Sequence, residues 1–303
     1  MINRRKFIKA SSAISGGLTL YPFLDAQKGI FENPLQLEIY ATNWGFTGSM
    51  KEFCRAAKED GYDGIEVWTS KDAAKRRELL ELIKEFDLRL GLLAGNWGST
   101  FEGHLKDFDM SLKNATDMQP EFINCHSGKD YFNYEQGQTF ITLAQSWSEK
   151  TSIPIYHETH RGRMLYAAHV ASHFINSNPN LRITLDISHW CNVHESLLED
   201  QKSTIASALE RVDHIHSRVG FQEAPQIPNH DDPQYEAAVK AHFAWWDRVV
   251  EIKKRDNQKL TMTAEFGPPP YMWTTPYTAK PLAEVWEVNS AMKDLWRKRY
   301  QNK

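Results

Sequence analysis

Four fragments decide how this chain folds. They are Tyr-His-Glu-Thr-His at 156–160, Leu-Asp-Ile-Ser-His-Trp at 185–190, His-Ile-His-Ser-Arg at 214–218 and Ala-Glu-Phe-Gly-Pro at 264–268. Each follows a short apolar run that reads as a buried strand, and each ends in side chains able to bind a metal. Glu158, Asp186, His216 and Glu265 are spaced by 28, 30 and 49 residues. A strand, a loop, a helix and a return loop together take about 30 residues, so each of the first two steps advances one βα unit. The last step is one unit plus a long insertion. Three carboxylates and one imidazole at the ends of consecutive parallel strands would converge above a barrel, and the expectation is one divalent-metal site there.

Working outward, strand and helix patterns alternate along the whole chain. Strands are expected at 35–41, 64–68, 88–94, 122–126, 153–157, 181–186, 212–217 and 260–266. Helices are expected at 49–60, 72–86, 101–117, 134–150, 163–176, 203–210, 234–255 and 282–300, with a Pro-rich loop at 220–233. Eight strands in strict alternation with helices mean a parallel sheet, and eight is the number that closes a (β/α)8 barrel. A doubly wound open sheet would carry a Gly-rich phosphate turn after its first strand, and Asn43-Trp44-Gly45-Phe46 is not one. No composition break or fixed-period repeat marks a second domain, so residues 31–303 read as a single α/β barrel.

A chain of 303 residues with 41% hydrophobic and 25% charged residues can bury the large core this architecture needs. Net charge is −3, with Lys and Arg scattered, so there is no electrostatic case for a nucleic-acid partner. The three cysteines, Cys54, Cys125 and Cys191, lie far apart and form no Cys-x-x-Cys pair. They read as small buried apolar side chains. The first 30 residues stand apart from the fold. Arg4 and Arg5 open a basic segment, Asn-Arg-Arg-Lys-Phe-Ile-Lys at 3–9, followed by a weakly apolar run too short to span a bilayer. This resembles a twin-arginine export signal and implies a periplasmic location without stable membrane insertion. Homo-oligomerisation is left open.

Strand residues alternate between the lumen and the helix layer. Thr261, Thr263 and Glu265 therefore share one face of the eighth strand, and His214 and His216 share one face of the seventh. A lone carboxylate inside a barrel is strongly destabilising, whereas three converging ones are tolerated around a cation. Three oxygen-bearing ligands and one nitrogen suit Mn²⁺ best, with Mg²⁺, Co²⁺, Zn²⁺, Fe²⁺ and Ni²⁺ as alternatives. Trp44, Trp68, Trp97 and Trp190 each stand just past a strand on the face where this site lies. An indole suits the C–H face of a sugar ring. Glu66, at the end of the second strand, is read as a pocket acid or as the partner of a nearby basic group. His157 has the opposite parity to Glu158 and is assigned to the helix layer. His160 and Arg161 are assigned to the loop or pocket rim, His160 behind a ligand. His169, His173 and His242 lie on helices and read as surface or core residues.

The four fragments together resemble the sugar phosphate isomerase/epimerase family, the xylose isomerase-like TIM barrels that include the AP endonuclease family 2 enzymes. The resemblance covers residues 35 to about 300. It implies that Glu158, Asp186, His216 and Glu265 are shared metal ligands. It implies substrate-binding roles for His189, three residues after the Asp, for Arg218, after the metal His, and for His126, in Asn-Cys-His-Ser-Gly. The chemistry fits. A metal that polarises a carbonyl can stabilise an enediolate while Glu158 and Glu265 remove and return the proton beside it. Return to the other face epimerises, return to the neighbouring carbon isomerises, and loss of a β-substituent makes a keto-glycoside lyase. Two other readings are an endonuclease IV-like metal hydrolase and a non-catalytic carbohydrate-binding barrel. The loop 219–232 contains no Lys or Arg to hold a phosphate, so the expected substrate is a non-phosphorylated sugar, keto-sugar or glycoside.

Overall fold

The computed structural model describes residues 34–301, so the twin-arginine-like segment expected at 1–30 lies outside the described residues. Elements follow in the order β1 (Gln36–Thr42), α1 (Met50–Glu59), β2 (Gly64–Trp68), α2 (Ala73–Glu85), β3 (Arg89–Gly95), α3 (Phe101–Thr116), β4 (Phe122–His126) and α4 (Tyr134–Thr151). Then come β5 (Ile155–Glu158), α5 (Ala168–Ser177), β6 (Ile183–Leu185), α6 (Ile187–Val193), α7 (Lys202–Leu209), β7 (Val212–His216), α8 (Glu236–Arg255), β8 (Lys259–Ala264) and α9 (Val285–Trp296). Each strand pairs in parallel with its neighbours in sequence, and β1 closes the ring on β8 from Gln36 opposite Lys259 to Ala41 opposite Ala264.

Local chemistry sets where helices begin. Ser49 and Glu52 form a reciprocal capping box at α1, and Asn133 and Gln136 form another at α4. Asp72 and Thr100 accept backbone N–H groups at the starts of α2 and α3. Strand alternation then sorts the side chains into two populations. Ile39, Ile65, Ile123, Ile183, Ile215 and Met262 join the apolar core shared with the helices.

Residues of the other parity meet inside the ring. Phe122 packs against Tyr40, Tyr156 and His214, with ring centroids 5.2, 5.9 and 4.4 Å apart, and these four form a floor. Two glycines make room for it. A Cβ at Gly91 would lie 2.5 Å from the Phe122 ring, and one at Gly64 would lie 2.6 Å from the Tyr40 ring. Below the floor, Arg89 and Lys259 each bridge Glu38 and Glu121. The carboxyl-terminal end of the ring is thereby left for chemistry.

The structure departs from the periodicity in two places that matter. The helix expected from residue 163 begins at Ala168. Gly162, at φ +73°, turns the chain, and residues 159–167 become a loop over the barrel mouth. After β6, where only a loop was expected, α6 forms a short helix that begins directly at Asp186, whose side chain accepts the Ser188 N–H at 3.2 Å. Smaller shifts occur at β8, which ends at Ala264, and at α9, which begins at Val285.

Candidate active site

Above the floor, the strand ends bring four ligand-type side chains together. Glu158 is the last residue of β5, His216 the last of β7, Asp186 caps α6 and Glu265 follows β8 by one residue. One ligand atom from each of the four can be chosen so that all lie within 4.8 Å of one another. His216 Nδ1 stands 3.0 Å from Glu265 Oε2 and 3.8 Å from Glu158 Oε1. The longer approach is beyond hydrogen-bond reach, and both His216 Nδ1 and Glu158 Oε1 are buried without a hydrogen-bond partner. A buried imidazole nitrogen and a buried carboxylate oxygen close together, with two more carboxylates beside them, fit a divalent cation in place of the imidazole proton.

The side chains behind this group explain its orientation. His216 turns Nε2 toward Glu66 Oε2 at 3.0 Å, which leaves Nδ1 facing the cluster. The same Glu66 oxygen lies 3.2 Å from His214 Nε2 and accepts from the Thr263 hydroxyl at 2.5 Å. A carboxylate behind a ligand imidazole fixes its tautomer and ring angle. Asn124 donates Nδ2–H to Glu158 Oε2 at 2.8 Å. Asp186 is gripped by the Ser188 hydroxyl, while its own backbone N–H donates to the Thr159 hydroxyl at 2.9 Å.

Basic groups surround the cluster. His126 Nε2 lies 2.9 Å from Glu158 Oε2. The His160 ring sits between His126 and His189, at centroid distances of 4.6 and 4.0 Å. Arg218, fully buried, donates Nη2–H to Asp186 Oδ2, meets His189 Nε2 at 2.8 Å and reaches within 3.6 Å of Glu265 Oε2. Tyr271, from the loop after β8, lies over this guanidinium at 4.9 Å and over that of Arg161 at 5.1 Å.

These neighbours set the charge states. Burial favours a neutral Glu158, but the His126 and His216 imidazoles override it and hold the carboxyl well below its usual range. Burial also opposes ionisation of Glu66, and His216 and His214 again reverse the balance. Asp186 is pushed up to about 6 by burial and by the Glu265 and Glu158 charges, against the pull of Arg218. His216 is raised well above the ordinary imidazole value because the Glu265, Glu66 and Glu158 carboxylates outweigh its burial. His160 and His189 are pushed down by burial, His160 also by His126, and His189 by His160 and Arg218. Glu158 and Glu66 are thereby held anionic beside the Arg218 guanidinium, while His160 and His189 are held neutral.

The residues named from sequence are distributed as follows. Glu158, Asp186, His216 and Glu265 come together, and His126, His189 and Arg218 touch them. Trp44 packs edge-on against Tyr271 at 4.9 Å with its ring 5.8 Å from the Arg218 guanidinium. Trp97 lines the mouth beside Trp68 at 5.5 Å. Trp190 is a correction. It is 0% exposed, and its indole N–H donates to the Leu165 carbonyl at 2.9 Å. Successive residues on a helix point about 100° apart, so α6 turns His189 to the site and sends Trp190 into the packed layer behind it. Glu66 lies beneath His216 and has less than 2% exposure, so it is the partner of basic groups rather than an acid at the mouth. His157 has its Nδ1 2.7 Å from the Ser127 hydroxyl, away from the four ligand-type groups.

Asn124 and Tyr271 were missed. Asn124 had a usable signal, since it shares the parity of His126 on β4. Tyr271 sits in an irregular Pro-rich loop and had none. At the end of β3, Asn96 bonds the His126 carbonyl at 2.6 Å and the His104 ring, tying β4 to α3 instead of facing the cluster.

A family model described as xylose isomerase-like TIM barrel matches residues 54–223. The structure of a 3-keto-D-glucoside 4-epimerase from E. coli is similar at 16% identity and a TM-score of 0.57, over 86% of this chain and 99% of that one. A D-tagatose 3-epimerase-like protein is similar at 12% identity and 0.57, over 86% and 97%. A probable 3-DHS dehydratase from Bacillus anthracis is similar at 15% identity and 0.54, over 84% and 98%. No curated protein matches this chain in sequence.

Proposed function

We propose that this chain, which belongs to the xylose isomerase-like TIM-barrel family, is a divalent-metal-dependent isomerase or epimerase of a non-phosphorylated sugar or keto-sugar. One observation carries the reading: Glu158, Asp186, His216 and Glu265 offer four ligand atoms within 4.8 Å of one another, and His216 Nδ1 and Glu158 Oε1 are buried with no hydrogen-bond partner. Mn²⁺ suits this oxygen-rich set best. A cation bound there would supply Lewis acidity toward a sugar carbonyl and its neighbouring hydroxyl.

The remaining work falls to the chain. Glu158, kept ionised by His126 and His216, is placed to take the proton beside the carbonyl, with Asn124 fixing its second oxygen. Glu265 is the carboxylate of the four that reaches toward the mouth, its side chain 12% exposed. It is placed to exchange a proton from another side. Arg218 and His189 can hold substrate oxygens and offset negative charge as it develops. The arginine pair at 4–5 supports export to the periplasm, where phosphorylated sugars are scarce.

The test is incubation of metal-loaded protein with a ketose panel in D₂O, read by NMR. Wild type should incorporate deuterium next to the carbonyl, while Glu158→Gln and Glu265→Gln should each lose exchange yet retain measurable metal. Exchange surviving in both variants would remove the acid–base assignment. With keto-glycosides added to the panel, release of the aglycone in place of exchange would make the enzyme a lyase.

A further inference from the structure

Outside the metal cluster, the β2–β4 side of the mouth carries an aromatic corner that the chemistry above does not use. Trp68 and Trp97 are 41% and 52% exposed, unusual for indoles, and their rings meet at 5.5 Å with a 59° tilt. The corner is connected to the reacting centre. Trp68 lies edge-on to His126 at 4.9 Å, and His126 Nε2 is 2.9 Å from Glu158 Oε2. Exposure rises along this path, from the 12% of the His126 side chain through Trp68 to Trp97. Three contacts in series therefore separate Glu158 from the outer indole, Trp97.

The backbone is shaped to allow this arrangement. A Cβ at Gly95 would come 3.0 Å from the Trp68 ring and 3.4 Å from the Trp97 ring, so the missing side chain lets both indoles settle against the end of β3. The polar rim is present too. The Lys71 ammonium stands 5.5 Å from the Trp97 ring centre and 3.9 Å from Asp107. Tilted indoles with a charged pair at one edge suit an object with apolar faces and a hydroxylated rim.

We infer that the substrate is a glycoside of at least two rings, with a keto-sugar at the metal cluster and a second sugar ring seated on Trp68 and Trp97. This rests on the sugar chemistry proposed above and adds a substrate class to it. A monosaccharide chelated at the cluster and reaching no further than His126 would leave both indoles in water. A second ring covers them and gains their apolar area. The corner therefore selects for length, while the cluster selects for the carbonyl.

The probes are D-fructose and the four glucosyl-fructoses turanose, maltulose, leucrose and isomaltulose, titrated calorimetrically into metal-loaded protein. At least one disaccharide should bind about tenfold tighter than fructose. In Trp97→Ala and Trp68→Ala the ratio of disaccharide to fructose affinity should fall about three- to tenfold each, matching the usual worth of an aromatic contact. Trp97→Phe, which keeps a ring, should retain most of it, and a purely structural effect would move both sugars together. The inference is overturned if no disaccharide binds tighter than fructose, or if the preference survives in the double Trp68→Ala/Trp97→Ala variant. Deuterium exchange into fructose with no disaccharide preference would sink the inference alone. Disaccharide binding with no exchange into any sugar would keep the corner and sink the isomerase reading.

Discussion

Glu66 offers a sharp test of how the barrel aims its candidate ligands, because it touches the cluster only through His216. The perturbation is Glu66→Gln, which preserves shape and removes charge. In the structure one Glu66 oxygen faces His216 Nε2 at 3.0 Å, His214 Nε2 at 3.2 Å and the Thr263 hydroxyl at 2.5 Å, all fully buried. A net contribution of about 1.5–3 kcal/mol is usual for a hydrogen bond to a charged group. The amide keeps one acceptor oxygen, which can take the Oε2 position while its N–H₂ takes the partnerless Oε1 position, but the negative charge behind His216 is lost, so the imidazole is held less firmly with Nδ1 toward Glu158 and Glu265. Converted to affinity, the loss is about tenfold to a hundredfold. The assay is competition for Mn²⁺ or Co²⁺ against a chromophoric chelator, with circular dichroism confirming that the variant is folded. Folded Glu66→Gln protein that binds metal within threefold of wild type would refute the argument that Glu66 sets the His216 imidazole.

Other predictions concern stability. His242, buried on α8, accepts from the Gly220 N–H and donates to the Ala238 carbonyl, and burial pushes its pKa down to about 4. The folded value lies below the unfolded one, so the unfolded chain takes up the extra proton between them and stability rises with pH across roughly pH 4 to 6.5. The stability advantage of wild type over His242→Gln should therefore shrink by about 3 kcal/mol from pH 7.5 to 4; a pH-independent difference in urea melts would contradict it. Trp190→Phe should cost about 1–3 kcal/mol through the unpaired Leu165 carbonyl, with deuterium exchange per folded molecule unaltered. A fall in exchange at unaltered stability would return Trp190 to the pocket. Gly91→Ala should cost about 1–3 kcal/mol in a urea melt by driving a methyl into the Phe122 ring, and a neutral result would mean the floor repacks freely.

Much of this molecule is legible in one dimension. Strands β2 and β4 span Gly64–Trp68 and Phe122–His126, as their alternation and punctuation require. The spacings of Glu158, Asp186 and His216 encode their arrival at one end of the ring, because a βα unit has a nearly constant length and strand parity decides which side chains face inward. Two kinds of information are missing from such a reading. One is rotation within a short, uncapped-looking helix: Ile187–Val193 carries too few residues for a periodic signal, so His189 and Trp190 looked equivalent until α6 separated them. The other is contact across the ring. Glu66 meets His216 across 150 positions and Thr263 across 197, and Tyr271 covers Arg218 from a loop with no regular pattern. The sequence alone determined the strand count, the lumen-facing parity and the four ligand-type residues, since each follows from local periodicity. Which side chains support those four, which indoles reach the mouth and which are buried were decided only by closure of the barrel, because packing distances between remote residues exist only once the ring is complete.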